Sequence, residues 1–397
     1  MTDLLPITDE LDLDEPPRRD RTRRTRPRTR LDKFPRDPLL RWAVRAALAL
    51  PYVAIALLGG LGTTDKLLTP NQQLLVHLST LSWDRADPEW VGQIYPPVTT
   101  LLAAVIPGGR VGLAIAGALV AGVFLQKLME IMVQRRFPPS TVVILTVAIG
   151  ANPLFAYTAT ENFAAFVGLA CFGLAAPDVV RFVAWRNTRA GFRAGILLMV
   201  AMLSDLSGIL YTLTAALAAP FLRLGRAGQS GARWANVLVI VYPTISALVA
   251  IFTINWIFTG NPLLIWTQEM IESSPDRFAR LGAIFLEPNG WLLAAPVVCA
   301  WLIALIVRRP GSIAVSTLVF VAVLAAFVVG LIPSGSAGNT FILMTVMAIA
   351  LIPTARSTAT IILTDAVAFL QIGIAWTAAF YRDSVADWMS ALGFPFG

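Results

Sequence analysis

The sequence predicts an all-α fold, a polytopic transmembrane helical bundle of about ten or eleven spans. Three observations predict it. Hydrophobic residues make up 56% of the 397-residue chain and charged residues only 14%, where a soluble domain carries about a quarter charged residues. Mean hydropathy is +0.70. The apolar residues are gathered into runs near bilayer length, and the charge between those runs alternates in kind.

Residues 1–38 come first and read as a disordered cytoplasmic tail. They begin acidic, with Asp9, Glu10, Asp12, Asp14 and Glu15, and then turn basic from Arg18 to Arg30. Such a segment has too little apolar surface to offset the entropy of ordering it. Its arginines suit an anionic membrane surface and the fixing of topology, with a specific partner as the other reading. The net charge of +7 therefore argues for membrane topology, and no nucleic acid is expected as a partner. No cleavable signal peptide is expected, because the first apolar run starts near residue 40 and reads as a retained helix.

Residues 39–397 form the predicted transmembrane domain. Its apolar runs are 40–61, 111–133, 141–158, 162–177, 192–205, 207–222, 235–258, 289–307, 312–333, 340–355 and 358–380. A shorter run, 94–107, opens with Tyr95-Pro96-Pro97 and reads as a helix that dips into the outer leaflet without crossing. With the tail inside, the inner turns then carry Arg135 and Arg136, Arg181 to Arg193, Arg223 to Arg233, Arg308 and Arg309, and Arg356. The outer segments carry Asp65, Asp84, Asp87, Glu89, Glu161, Asp205, Glu269, Glu272, Asp276 and Glu287. A full crossing at 94–107 would put the arginine-rich turns outside, against the positive-inside rule. The expected location is the inner (plasma) membrane, with the N-terminus cytoplasmic and the C-terminus extracytoplasmic.

Two outer loops are long, 62–110 and 259–288. In the first, Leu74, Leu78 and Leu81 recur at helical spacing, with Gln72, Gln73, His77 and Ser79 elsewhere on the turn. This predicts a helix lying on the outer surface, with Trp83 and Trp90 at interfacial depth. His77 is the sole histidine, which excludes a multi-histidine metal site and leaves little for Ser-His or Cys-His catalysis. Cys171 and Cys299 both lie in apolar runs and read as small buried hydrophobes. No nucleotide-binding or nucleophile-elbow motif is present.

The first outer loop resembles that of the GT-C superfamily, the polyprenyl-phosphate-sugar-dependent membrane glycosyltransferases of the actinobacterial envelope. The resemblance rests on Asp65 directly after the first span, the acidic cluster Asp84, Asp87 and Glu89, and Ile94-Tyr95-Pro96-Pro97 before a short helix. Asn152-Pro153-Leu154 with Thr158, Glu161 and Asn162 adds to it. It covers residues 40–180; beyond them only the number of helices is similar. It implies a GT-C-like bundle that moves a sugar from a polyprenyl-phosphate donor to an envelope glycan or lipid acceptor on the extracytoplasmic face. Under it Asp65 is the catalytic acid of the family's first loop. Asp84, Asp87, Glu89 and Glu161 are secondary acids, and His77 and Tyr95 are substrate contacts. The resemblance fixes no cofactor and leaves a divalent metal open. The chain departs from the pattern in having Lys66 after Asp65 and no soluble C-terminal outer domain, which keeps a degenerate member in view.

The chemistry has its own logic. Transfer to a hydroxyl needs a base within hydrogen-bond reach, and a carboxylate serves. The leaving lipid phosphate needs positive charge at headgroup depth, and Arg110, Arg277 and Arg280 are the candidates. Read without the resemblance, the same acids are solvated loop charges or helix caps. Asp205 reads as a turn between two short spans. Asp365 is a mid-span acid facing protein or water, with a bundle-interior partner, a proton path and a site acid as its open readings. Two further functions stay open: a non-catalytic membrane scaffold or accessory subunit, and, with less to recommend it, a transporter or flippase.

Overall fold

The computed structural model describes residues 33–61, 69–83, 89–185, 187–220, 230–267, 276–308, 310–330, 357–380 and 383–393. The chain divides into two units, Met1–Lys33 and Phe34–Gly397. The arginine-rich tail and the apolar run 340–355 lie outside the described residues.

Every regular element among the described residues is a helix. In chain order they are α1 (Pro38–Leu61), α2 (Pro70–Thr80), α3 (Trp90–Gln93), α4 (Pro97–Val105), α5 (Gly109–Gln134), α6 (Pro139–Gly150), α7 (Pro153–Glu161), α8 (Phe163–Trp185) and α9 (Thr188–Ser204). There follow α10 (Ser207–Ala218), α11 (Ser230–Thr259), α12 (Leu264–Thr267), α13 (Asp276–Leu286), α14 (Pro288–Ile306), α15 (Pro310–Val329), α16 (Thr358–Phe380) and α17 (Asp383–Ala391). Five are long and apolar enough to cross a membrane: α1, α5, α8, α11 and α16. Two bent pairs, α6 with α7 and α13 with α14, raise the number to seven if each pair is one span.

The expected ten or eleven spans are therefore not reached among the described residues. Where residues 139–161 and 188–218 are concerned, the reason is local. The run 141–158 breaks after Gly150, where Asn152 accepts a hydrogen bond from Leu154 N (2.9 Å) and Pro153 opens α7. Proline has no N–H to continue the ladder, and asparagine is a favoured cap. The two halves meet at 56°. A carbonyl freed inside a bundle needs a donor, and the Tyr52 hydroxyl of α1 donates to Gly150 O at 2.6 Å. The runs 192–205 and 207–222 become helices of 17 and 12 residues, parted by Asp205. Its carboxylate accepts from Ser207 N (3.1 Å) and from the Ser207 hydroxyl.

The core gathers around α5, which packs on α1, α7 and α8; α8 in turn packs on α9. Phe124, Phe155 and Phe166 are fully enclosed and stacked edge or face on one another. Lipid tails are as apolar as leucine, so close packing must supply what hydrophobicity supplies in water. Glycines on α5 allow it. A β-carbon at Gly122 would lie 2.4 Å from Arg45 O of α1, and one at Gly117 would lie 1.9 Å from Ala159 O of α7. Gly122→Ala is therefore expected to lower the melting temperature in detergent, by an overpacking cost of about 1–3 kcal/mol. Gly373→Ala on α16, whose methyl would meet nothing within 4 Å, leaves it unchanged. Equal melting of the two variants would refute the close-packed seam.

Candidate functional site

The C-terminal end of α1, the N-terminal end of α5 and the C-terminal end of α7 meet at one end of the bundle. Glu161 closes α7 with its side chain only 3% exposed, and Arg110 opens α5 with its side chain 23% exposed. Arg110 Nε donates to Glu161 Oε2 at 3.2 Å. Among the described residues, this is the only hydrogen bond the guanidinium makes. The buried carboxylate thus fixes one edge of the arginine and, among the described residues, leaves its terminal nitrogens without partners. A β-carbon at Gly59 of α1 would lie 3.7 Å from Glu161 Oε1 and 3.8 Å from Leu392, just beyond α17. The residues of α17 line the same corner, with Trp388 set edge-on to Tyr157 of α7.

The predicted surface helix is α2, and it ends at Thr80 rather than at Leu81. Its start is set by a capping box, in which Thr69 N donates to Gln72 Oε1 at 2.9 Å. Asn71, 1% exposed, donates to Thr160 O and accepts from Phe163 N, both at 2.8 Å. It bridges the α7–α8 turn beside Glu161, and so fastens α2 over the site. Sequence reasoning missed Asn71. A polar residue in a helix's first turn is an ordinary signal, and its partners are about 90 residues away. His77 lies on the same helix with Nε2 enclosed and without a hydrogen-bond partner among the described residues.

Asp65, Asp84 and Asp87 lie outside the described residues. Glu89 is exposed at the start of α3, where its carbonyl accepts from Gly92 N at 3.0 Å. Tyr95 is 5% exposed, precedes a cis proline, and donates its hydroxyl to Met202 O at 2.8 Å. Burial, and after it the charge of Asp205, push that hydroxyl well above its ordinary pKa, so it stays protonated and stays a donor. With Thr99, whose hydroxyl donates to Ser204 O at 2.8 Å, it ties the short dipping segment to the end of α9.

The three phosphate-binding candidates are not gathered together. Arg277 and Arg280 sit on α13, which packs on α14 and α15, whereas Arg110 belongs to α5. Arg277 is buried, donates to Phe327 O at 3.0 Å and lies 5.5 Å over the Phe327 ring; Arg280 is exposed. Asp365 lies on α16 with Oδ1 buried and unpartnered among the described residues. No three His, Cys, Asp or Glu side chains converge among the described residues.

The helices define a multi-pass membrane protein. No family model, no curated protein and no solved structure matches this chain.

Proposed function

We propose that the chain is a GT-C-like membrane glycosyltransferase. It moves a sugar from a polyprenyl-phosphate donor to an envelope glycan or lipid on the extracytoplasmic face. The observation that supports this reading is the Arg110–Glu161 pair. A buried carboxylate holds an arginine by Nε at a bundle end. Its remaining donors form the planar fork that matches phosphate oxygens. Asp65 follows Gly60 of α1 by five residues, a covalent reach of at most about 18 Å. A phosphate clamp and a carboxylate base on one short arc suit a reaction with an anionic lipid leaving group. In this reading Arg110 holds the donor phosphate, Glu161 orients Arg110, and Asp65 takes the acceptor proton.

The test is transfer of radiolabel from polyprenyl-phosphate sugars, in membranes of cells lacking the native protein and supplied with this one. Wild type is expected to transfer label, and Arg110→Gln is expected to raise KM for the donor more than it lowers kcat. No transfer by wild type with any such donor, together with full support of the cellular role by loop variants, refutes the enzyme and leaves the scaffold.

A further inference from the structure

The helix α13 stands square to α14, and the proposed transfer reaction does not use it. The two meet at 87°. α14 is 19 residues long, about 28 Å at the helical rise, so it reaches across a hydrocarbon core of about 30 Å without help from α13. α13 has 11 residues, about 16 Å, and cannot cross. Both of its ends carry acids at the surface: Asp276 opens the helix, Glu287 follows its last residue, and both are exposed. Carboxylates are kept out of hydrocarbon, so the helix begins and ends within reach of water. Trp291, one turn into α14, is 73% exposed, and tryptophan collects where headgroups meet acyl chains.

Wound at the helical period, α13 has three sides. One packs on α15: Arg277 donates to Phe327 O at 3.0 Å, and the Phe285 ring is set edge-on to Phe320. The second carries Phe278 and Leu286, 73% and 89% exposed. They lie two turns apart on one flank, beside the exposed small residues Ala279, Gly282 and Ala283. The third side carries Asp276 and Arg280, one turn apart, both exposed and on the side away from Phe278. An apolar flank beside a charged one is the pattern of a helix lying in the plane of a membrane interface. The right angle to a helix long enough to cross, and the acids at both ends, set α13 in that plane. The bilayer that α14 crosses is therefore the surface its apolar flank meets.

We infer that α13 lies along the bilayer surface as a lipid-binding anchor, with Phe278 and Leu286 sunk between headgroups and acyl chains and with Asp276 and Arg280 turned to water. The bent pair is then one span, made by α14 alone, with a surface helix in front of it. The contacts of Arg277 and Phe285 with α15 fix which flank of α13 meets the lipid.

The experiment uses the full-length protein in phosphatidylcholine–phosphatidylglycerol liposomes, with Cys171→Ala and Cys299→Ala as background. Single spin labels are placed through Phe278→Cys, Arg280→Cys and Leu286→Cys. Ile245→Cys, exposed midway along α11, serves as the lipid standard. Collision with oxygen reports lipid, and collision with a water-soluble nickel chelate reports water. The oxygen-to-nickel ratio at 278 and 286 is expected to be several-fold above that at 280 and to lie below the Ile245 value, at one shared depth. A low ratio at all three positions puts the helix in water and overturns the inference. Exclusion of both probes at 278 and 286 means that a second copy or another protein covers the flank, which also overturns it. So does a ratio at 286 equal to the Ile245 value with water at 278, which is a helix that dips. If the cysteine variants do not fold, wild type is irradiated with a phospholipid carrying a diazirine near the headgroup end of its acyl chain. Adducts on Phe278 or Leu286 are expected, and labelling of α11 with none on α13 overturns the inference.

Discussion

Asp65→Asn is expected to abolish sugar transfer while the protein stays folded. Asparagine is nearly isosteric with aspartate but cannot accept the proton that the acceptor hydroxyl must lose. A positioned base contributes about 10²–10⁴-fold in rate, so the loss should be of that size and should fall on kcat. Asp65 follows α1 in the chain, whose last turn brings Gly59 against Glu161. Asp87→Asn and Glu89→Gln should cost less, because under the same reading they position substrate and do not take its proton. The assay is the labelled-donor transfer described above, with folding checked by melting in detergent. Near-normal transfer by Asp65→Asn, with Asp84→Asn or Asp87→Asn inactive, would move the base to the acidic cluster and keep the enzyme class.

Asp178→Ala is expected to be among the most destabilising single substitutions in the bundle. Removing one partner of a buried ion pair leaves the other charge uncompensated, at a cost of about 3–5 kcal/mol. Arg181 and Arg193, which both pair with Asp178, should share that cost unequally. Arg193 can swing into solvent, its side chain being 60% exposed, whereas Arg181, at 17%, cannot. Asp178→Ala combined with Arg181→Leu should therefore recover much of the lost stability, while Asp178→Ala with Arg193→Leu should recover little. Thermal melting of the single and double variants measures this coupling. Additive losses in the first pair would show that Arg181 does not depend on Asp178.

These residues mark how far the sequence could be read. The long apolar runs of α1, α5, α8, α11 and α16 are visible because a bilayer sets a length that soluble cores do not. The break before Pro153 was also there to be read, since Asn152 and Pro153 carry local signals for a helix start; run length alone passed over it. The candidate site was legible only in parts. Arg110 was named for its charge and Glu161 for its place at a helix end, but their pairing joins residues 51 positions apart. Asn71 and Leu392 reach the same corner from farther away still. Periodicity cannot supply such contacts. In a bilayer the lipid-facing side of a helix is as apolar as the buried side, so the pattern that orients a helix in water is faint. Leu50 of α1 and Leu113 of α5 belong to the same residue type, one 68% exposed and one fully enclosed.

The glycine seam along α5 also limits how this protein can change shape. With Gly122 against the Arg45 carbonyl and Gly117 against the Ala159 carbonyl, α1, α5 and α7 meet backbone to backbone, and sliding any one of them lengthwise would drive a side chain into a peptide group. That trio acts as a stator. α16 carries no such contact at its own glycine, since a methyl added at Gly373 would meet nothing within 4 Å. Much of its length faces outward, through Ile362, Leu363, Phe369 and Leu370. Hydrogen exchange should then be slower in α5 than in α16.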